Sequence, residues 1–148
     1  MCDFNGEFLI VDDDKPSRIL LEKYIMRTSP NVKIDKCTNA SEAIRKIDGT
    51  KYTGMFIDIG LPDVNGIELM KIAKKHKNRP TFMIFISASI LHRKINNISI
   101  ISKPIKENVI DNVMTEMLVK FSLPDRIDMI TENMRRGISN VGHRQIVL

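Results

Sequence analysis

The chain has 148 residues, of which 43% are hydrophobic, and a formal net charge of +5 at neutral pH. A chain of this length is most simply one domain with one core. No apolar run reaches the roughly 18 residues that span a bilayer, no signal peptide is visible, and two cysteines do not make a disulfide framework. We therefore expect a cytoplasmic protein that makes no membrane contact.

The positive charge is only weakly clustered, and its densest run lies between residues 71 and 79. The helix dipole favours cations at the C-terminal end of a helix, so we interpret this basic run as the solvated end of a helix. A partner-docking face is the alternative. Nucleic acid is not expected as a partner, because no aromatic residues interleave with these charges.

Apolar runs bounded by turn residues predict strands, and apolar residues at helical spacing predict helices. Strands are predicted at residues 8–11, 32–37, 55–57, 81–86 and 98–101. Helices are predicted from Pro16 onward and over residues 41–47, 66–77 and 106–121. Asp14 is the candidate N-cap of the first helix, and Asn39 opens the second. Ile19, Leu20 and Tyr24 are predicted to form the apolar face of the first helix.

Strands that alternate with helices predict βαβ units and a parallel sheet covered on both faces, so the fold class is α/β. We assign residues 1–121 to this domain and expect Cys37 to be buried in its second strand. The helix between the fourth and fifth strands is expected to be shortened or missing, because the residues after Ser89 leave room for about two turns at most. Residues 122–148 form a C-terminal tail, interpreted as a short helix packed on the domain or as a segment for partner binding.

Polar residues follow four of the predicted strands. Asp12 and Asp13 follow the first strand, Asp58 the third and Lys103 the fifth, and Ser87, itself followed by Ala88, comes after the fourth. In open α/β sheets, ligands bind at the carboxyl ends of the strands, near the point where strand order reverses. Three carboxylates, a hydroxyl and an amine are therefore predicted to converge on one edge of the sheet.

An ionised carboxylate at the end of a buried strand costs stability unless a structural partner or a cation offsets its charge. Three carboxylates also repel one another, and a hard divalent cation relieves that repulsion. Oxygen-only ligands suit Mg²⁺, and no histidine or cysteine lies nearby in sequence to favour zinc or copper. A metal beside a carboxylate, a hydroxyl and a lysine is suited to phosphoryl transfer, with Asp58 as the nucleophile.

Each of these residues also has a separate structural interpretation. Asp12 and Asp13 would serve as helix caps, Ser87 as a turn residue and Lys103 as a surface lysine. Their convergence on one edge favours a common site over these separate explanations.

The ordered segments VDDD, DIGLPDVNG, FISAS and SKP resemble the receiver domain of two-component response regulators, over about residues 6–121. The resemblance implies a flavodoxin-like, doubly wound sheet of five parallel strands in the order 2-1-3-4-5. It also implies a stand-alone, CheY-like receiver in a two-component system or phosphorelay. Its partners would be a histidine kinase or histidine phosphotransfer protein and a downstream protein of unknown identity.

The resemblance further implies how the acidic residues act. Asp58 would be the phosphoacceptor that becomes an aspartyl phosphate. The Mg²⁺ ligands would be Asp13, Asp58 and the backbone carbonyl of Gly60, and Asp12 would contribute through water. Gly66, with the Leu-Pro pair before it, would shape the loop beside the acceptor.

Ser87, the backbone N–H of Ala88 and Lys103 would hold the phosphoryl oxygens in a receiver of this kind. Before phosphorylation, Lys103 would pair with Asp58. The Lys103–Pro104 bond is a candidate cis peptide, a form that X-Pro bonds permit.

The sequence departs from the receiver pattern at two points. Receivers commonly carry an aromatic residue three positions before the lysine, where this chain has Ile100, so the usual aromatic switch is not available. The interval from Ser87 to Lys103 is also shorter than usual by more than one helical turn. A short fourth helix would leave an apolar surface on which a homodimer can form.

Two other functions compete with phosphoacceptance. A receiver-like binding module that works without phosphorylation is the main alternative, motivated by Ile100 and the short fourth helix. An aspartate-nucleophile phosphatase is disfavoured, because Gly60 occupies the position where such hydrolases carry a general acid. We therefore expect a signalling protein and not an enzyme.

Overall fold

The computed structural model describes residues 5–88 and 100–121. The strands are β1 Glu7–Val11, β2 Lys33–Cys37, β3 Gly54–Asp58, β4 Phe82–Ser87 and β5 Ile100–Ser102. The helices are α1 Lys15–Thr28, α2 Ala40–Gly49, α3 Gly66–Lys75 and α4 Glu107–Phe121. The segment in which a shortened or missing helix was predicted, between the fourth and fifth strands, and the predicted tail at residues 122–148 lie outside the described residues.

The five strands form one parallel sheet in the order β2-β1-β3-β4-β5. The prediction of a doubly wound, flavodoxin-like α/β fold is therefore confirmed. Strand order reverses between β1 and β3, because the chain first moves outward to β2 and then returns past β1. This is the point at which ligands bind in such sheets.

The strand register aligns the carboxyl ends of the central strands. Val11 pairs with Ile57, Asp58 pairs with Ile86, and Ser87 pairs with Ser102. Residues that directly follow these positions therefore lie along the same edge. We call this edge, with Asp12, Asp13, Asp58, Ser87 and Lys103, the acidic edge.

Alternating strand residues bury their side chains in two apolar cores, one on each face of the sheet. The α1–α4 core contains Phe8, Phe56, Leu21, Ile25 and Met117 among its buried side chains. The α2–α3 core lies on the opposite face. Its buried side chains include Leu9, Ile57, Ala43, Leu69 and Cys37. Coverage of both faces explains why the interiors of β1, β3 and β4 are apolar.

The helix starts follow the capping residues. The Asp14 side chain accepts a hydrogen bond from the Ser17 N–H at 3.1 Å, and Pro16 occupies the first turn of α1. The Asn39 side chain accepts from the Glu42 N–H at 2.9 Å at the start of α2. Both predicted helix starts are confirmed, because each side chain satisfies a backbone donor that the helix itself leaves unpaired.

The predicted apolar face of α1 is wrong at one position. Ile19 is 53% exposed, whereas Leu21 and Ile25 are the fully buried residues of the helix. Leu20 and Tyr24 are only partly buried against the core. Leu21 and Ile25 are four residues apart and so share one side of the helix, which turns Ile19 toward solvent.

No helix within residues 5–88 and 100–121 combines the length and apolar character needed to cross a membrane. Cys37 is buried in β2, as expected. Burial raises the pKa of its thiol to about 12, so it stays protonated and unreactive at neutral pH.

Candidate functional site

Asp12 lies at the carboxyl end of β1 and is 1% exposed. Its Oδ1 accepts a hydrogen bond from the Asp14 N–H at 2.9 Å. Arg18, one turn into α1, donates to the Asp12 backbone carbonyl at 2.7 Å. These contacts fix the backbone and one carboxylate oxygen of Asp12, while the neighbouring Asp13 remains exposed. The part played by Arg18 was not predicted from the sequence.

Asp58 ends β3 and is 7% exposed. Its Oδ1 accepts a hydrogen bond from the Gly60 N–H at 3.1 Å. The strand continues to pair beyond Asp58, because the Ile59 N–H donates to the Ile86 carbonyl at 2.9 Å. The carboxylate is therefore held by the sheet on one side and by the start of the next loop on the other.

Lys103 follows β5 and brings its ammonium group between two carboxylates. Its Nζ lies 2.9 Å from Asp12 Oδ2 and 3.3 Å from Asp58 Oδ2. The predicted pairing with Asp58 is thus observed, and the shorter contact to Asp12 was not predicted. Burial alone would lower the pKa of Lys103, but its interactions with Asp12 and Asp58 outweigh burial and leave that pKa raised. Lys103 is consequently a fixed cation of the acidic edge.

The peptide bond that follows Lys103 has the predicted conformation, and the Lys103 backbone N–H joins two strand ends. The Lys103–Pro104 peptide bond is cis. The Lys103 N–H donates to the Ser87 carbonyl at 2.9 Å, which ties the end of β5 to the end of β4. Ser87 is 4% exposed, whereas Ala88 is exposed. The structure places both at the predicted edge, and their contacts with a phosphoryl group stay predictions.

The raised pKa of Asp12 indicates that Lys103 does not fully compensate the negative charge at this position. Burial raises the pKa of Asp12 to about 6, and the charge of Asp58 adds to the rise, while contacts with Lys103 and the Asp14 N–H oppose it. Asp12 Oδ2 meets Lys103 as an ion pair but lacks a well-directed hydrogen bond. A buried carboxylate oxygen that lacks a well-directed hydrogen bond is suited to binding a further cation.

The three carboxylates form one cluster. Asp12, Asp13 and Asp58 each offer an oxygen atom, and these atoms lie within 4.8 Å of one another. An all-oxygen donor set with one exposed member fits Mg²⁺, which retains several waters and takes few protein ligands. The Gly60 carbonyl stays a predicted ligand. The acidic cluster that was predicted from strand ends is therefore present in the structure.

The loop after β3 folds back tightly on the strand end. The Gly66 N–H donates to the Ile59 carbonyl at 2.9 Å. A Cβ atom on Gly66 would lie 2.4 Å from the Asp58 carbonyl oxygen and 2.8 Å from Ile59 Cα. Only glycine permits this approach, which supports the predicted role of Gly66 in shaping the loop. Asp63, within the same loop, contacts the start of α2, and the sequence did not predict that contact.

Ile100, which replaces the expected aromatic residue, lies in β5 and is partly buried against the α2–α3 core. It pairs with Phe85 across the sheet. A branched aliphatic side chain in this position packs as a strand residue. The departure from the receiver pattern at this position therefore coexists with an intact sheet.

Comparisons with known proteins agree with this geometry. Residues 8–115 match the family model described as the response regulator receiver domain. The chain is 31% identical over 127 residues to the sensory transduction protein LytR of Staphylococcus haemolyticus. That match covers 83% of this chain and 49% of LytR, so the chain spans about half the length of this curated relative.

Solved structures of receiver domains share the fold. A CheY-like response regulator receiver domain from Methanospirillum hungatei is 25% identical with a TM-score of 0.63, and the match covers 79% of this chain and 96% of that one. The signal receiver domain of a LuxO repressor protein from Vibrio parahaemolyticus is 20% identical with a TM-score of 0.67. That match covers 84% of this chain and 98% of the other.

Proposed function

Because the chain belongs to the response regulator receiver domain family of two-component systems, we propose that Asp58 accepts a phosphoryl group in a Mg²⁺-dependent reaction. The donor is a phosphohistidine on a histidine kinase or histidine phosphotransfer protein. The observation that carries the proposal is the position of the Lys103 ammonium, 2.9 Å from Asp12 and 3.3 Å from Asp58. A nucleophile, a fixed cation and a carboxylate cluster are thereby assembled on one edge.

Asp12, Asp13 and Asp58 are the residues that would hold Mg²⁺. Their oxygens lie within 4.8 Å of one another, and the partly unsatisfied Asp12 Oδ2 supports a cationic ligand at this place. When bound, the metal neutralises charge on the phosphoryl oxygens and on the carboxylates. We assign the Gly60 carbonyl to the same ligand set, since the loop bends back at Gly60 toward Asp58.

In the transfer step, a carboxylate oxygen of Asp58 forms the new P–O bond. The P–N bond of phosphohistidine breaks, and the imidazole leaves with the electron pair of that bond. Catalysis of this kind consists largely of positioning and charge stabilisation. The sheet and the Gly60 N–H supply the positioning by holding the Asp58 carboxylate in place.

Lys103, Ser87 and the Ala88 N–H are proposed to stabilise the transferred group. In the free protein, Lys103 balances the charges of Asp12 and Asp58. After transfer, its contact with Asp58 is replaced by contact with a phosphoryl oxygen, while Asp12 keeps its partner. Ser87 lies at the end of the adjacent strand, within the same edge, and supplies a hydroxyl for a second oxygen.

The protein is proposed to carry a phosphoryl group and not to turn over substrates as an enzyme. Position 60 is glycine, so no side chain there acts as a general acid or orients a hydrolytic water. Output then proceeds through contact with a downstream protein or through onward phosphoryl relay. We place this activity in the cytoplasm, and a homodimer is one form in which the output surface is used.

The test of the proposal is the intact mass of the protein after incubation with acetyl phosphate, with and without Mg²⁺. Wild type gains one phosphoryl group only when Mg²⁺ is present, and Asp58→Asn gains none. Asp13→Asn, which changes an exposed carboxylate of the same cluster, slows the gain without abolishing the acceptor. Wild type and Asp58→Asn with equal adducts would contradict the proposal.

The second candidate is a receiver-like binding module that works without phosphorylation. Ile100 favours it, because the residue is built into β5 and lacks the aromatic ring on which the usual switch depends. An Asp58→Asn variant that binds the downstream protein and supports signalling as well as wild type does would favour this second candidate over phosphoacceptance.

A further inference from the structure

The loop between β3 and α3, residues 59–65, is attached to the neighbouring helix α2 at its apex. Asp63 Oδ1 accepts a hydrogen bond from the Ala40 N–H at 2.9 Å. Asp63 Oδ2 accepts from the Ser41 N–H and from the Ser41 hydroxyl, both at 3.1 Å. One carboxylate therefore receives three donors from the first two residues of a helix that is separate from its own loop.

These donors need an acceptor from outside the helix. The first N–H groups of an α-helix have no partner within it. Asn39 satisfies the Glu42 N–H, and Asp63 satisfies those of Ala40 and Ser41. The N-terminus of α2 is thus completed by two side chains, of which one belongs to the helix start and the other to the loop beside Asp58.

The charge state of Asp63 suits this attachment. Hydrogen bonds from the Ala40 and Ser41 backbone hold the pKa of Asp63 at about 2, so the side chain is ionised at neutral pH. An ionised carboxylate at a helix N-terminus is favoured by the helix dipole, and its hydrogen bonds are stronger than those of a neutral acceptor. The attachment persists even though the Asp63 side chain is exposed.

The two ends of the loop are already fixed, which leaves the apex as the free part. At its start, Ile59 is fully buried, and at its end, the Gly66 N–H bonds the Ile59 carbonyl. Gly60, whose N–H holds Asp58 Oδ1, lies between Ile59 and the apex. Since the loop is closed at its base, a tether at Asp63 restricts the remaining movement of Gly60.

We propose that Asp63 is a positioning residue for the phosphoacceptor: by fixing the loop apex to α2, it holds Gly60 in place for Asp58 and for Mg²⁺. This inference rests on the proposed function for its biological meaning, but its structural content does not depend on phosphoryl transfer. The hydrogen bonds of Asp63 come from Ala40, Ser41 and Val64, so it acts through the conformation of the loop.

The experiment compares Asp63→Ala with a matched control, Asn39→Ala. Both variants remove an acceptor from the N-terminus of α2, but only Asp63 belongs to the phosphoacceptor loop. The measurements are Mg²⁺ affinity by amide chemical-shift titration and hydrogen exchange of the Gly60 and Gly66 amides without metal. Asp63→Ala is expected to weaken Mg²⁺ binding by about ten-fold, as changes behind metal ligands commonly do, and to speed exchange at Gly60.

Asn39→Ala is expected to lower the midpoint of urea denaturation, as loss of a helix cap does, with Mg²⁺ affinity and Gly60 exchange unchanged. Equal losses of Mg²⁺ affinity in both variants would overturn the proposal, because the effect would then come from α2 alone. Unchanged Mg²⁺ affinity in Asp63→Ala would overturn it as well. If Asp63→Ala does not fold, Asp63→Asn is judged by the same criteria, with an intermediate loss expected.

Acetyl phosphate labelling of wild type keeps the two proposals distinguishable. Wild type that binds Mg²⁺ but takes no phosphoryl group contradicts the proposed function. The positioning role of Asp63 still stands in that case if the variants differ in Mg²⁺ affinity as described. Wild type that is labelled, with Asp63→Ala indistinguishable from it in metal affinity and exchange, leaves the proposed function intact and removes the inference.

Discussion

The central strands β1 and β3 are apolar in their interiors and lead into carboxylates at their carboxyl ends. Phe56 is fully buried among apolar side chains, whereas Asp12 and Asp58 are nearly as buried but face one amine, Lys103. Burial of apolar groups stabilises the fold, and burial of carboxylates costs stability. The cores therefore supply the folding free energy, whereas the buried carboxylates of the acidic edge oppose it and depend on Lys103 for compensation.

The largest effect is expected when a core side chain on β3 is removed. Phe56 lies in the α1–α4 core, with its ring centroid 6.3 Å from that of Phe8. Phe56→Ala should lower the unfolding free energy by about 3–5 kcal/mol, through lost burial and a cavity. Urea denaturation followed by circular dichroism measures the change. The control is Ile19→Ala at a half-exposed position. A similar loss of unfolding free energy in both variants would contradict the claim that the buried core supplies the stability.

A smaller loss is expected when the cation of the acidic edge is removed. Lys103→Met leaves Asp12 and Asp58 without their ion-pair partner. We expect a loss of about 2–3 kcal/mol at neutral pH, limited because Asp12 takes up a proton. Lys36→Met, at an exposed pair with Glu22, should cost less than about 1 kcal/mol. Added Mg²⁺ should restore part of the unfolding free energy that Lys103→Met loses. An unfolding free energy of this variant that does not change with Mg²⁺ would argue against a metal site.

The loop after β3, which connects a core strand to the acidic edge, should be sensitive to the addition of a single methyl group. Gly66→Ala places a Cβ against the Asp58 carbonyl, so the loop must move. We expect a loss of about 1–3 kcal/mol, together with slower labelling of Asp58 by acetyl phosphate. Gly49→Ala is the control, because its Cβ would meet no atom within 4 Å. Full labelling of Gly66→Ala at the wild-type rate would show that the close approach is not needed for the site.

The smallest effect concerns the pH dependence of the edge in metal-free buffer. The pKa of Asp12 is about 6 in the fold against an ordinary 3.8. The folded state therefore binds the proton more tightly, and stability falls as pH rises from about 4 to about 6. A shift of one unit corresponds to about 1.4 kcal/mol, so a change on the order of 1–2 kcal/mol is expected at an edge that water reaches.

Asp12→Asn should lack this step, and Asp13→Asn, at the exposed neighbour, should retain it. Chemical denaturation of the three proteins at a series of pH values gives the measurement. A rise in wild-type stability over the same interval, relative to Asp12→Asn, would contradict the assigned sign.

Much of the fold could be predicted because its determinants are local. Apolar runs gave the strands, and Asp14 and Asn39 marked two helix starts. The buried face of α1 could not be predicted, because apolar residues surround most of the helix and only packing selects Leu21 and Ile25. The members of the acidic edge followed from strand ends.

The contacts within the edge depended on details that the sequence does not contain. The flexible stem of Lys103 reaches either carboxylate, so its shorter contact with Asp12 could not be predicted. The contact between Asp63 and Ala40 joins residues that are 23 positions apart. Such a contact between a loop and a helix depends on the positions of both elements, and an aspartate within a loop gives no indication of a distant helix start.

The central claim is that Asp58 takes a phosphoryl group from a P–N donor at this edge. Its most direct test is incubation with phosphoramidate, with and without Mg²⁺, followed by fragment mass analysis that locates the adduct. The predicted result is one phosphoryl group on Asp58 that forms only with Mg²⁺ and is absent from Asp58→Asn. An adduct on another residue, or none on a folded protein that binds Mg²⁺, would contradict the claim.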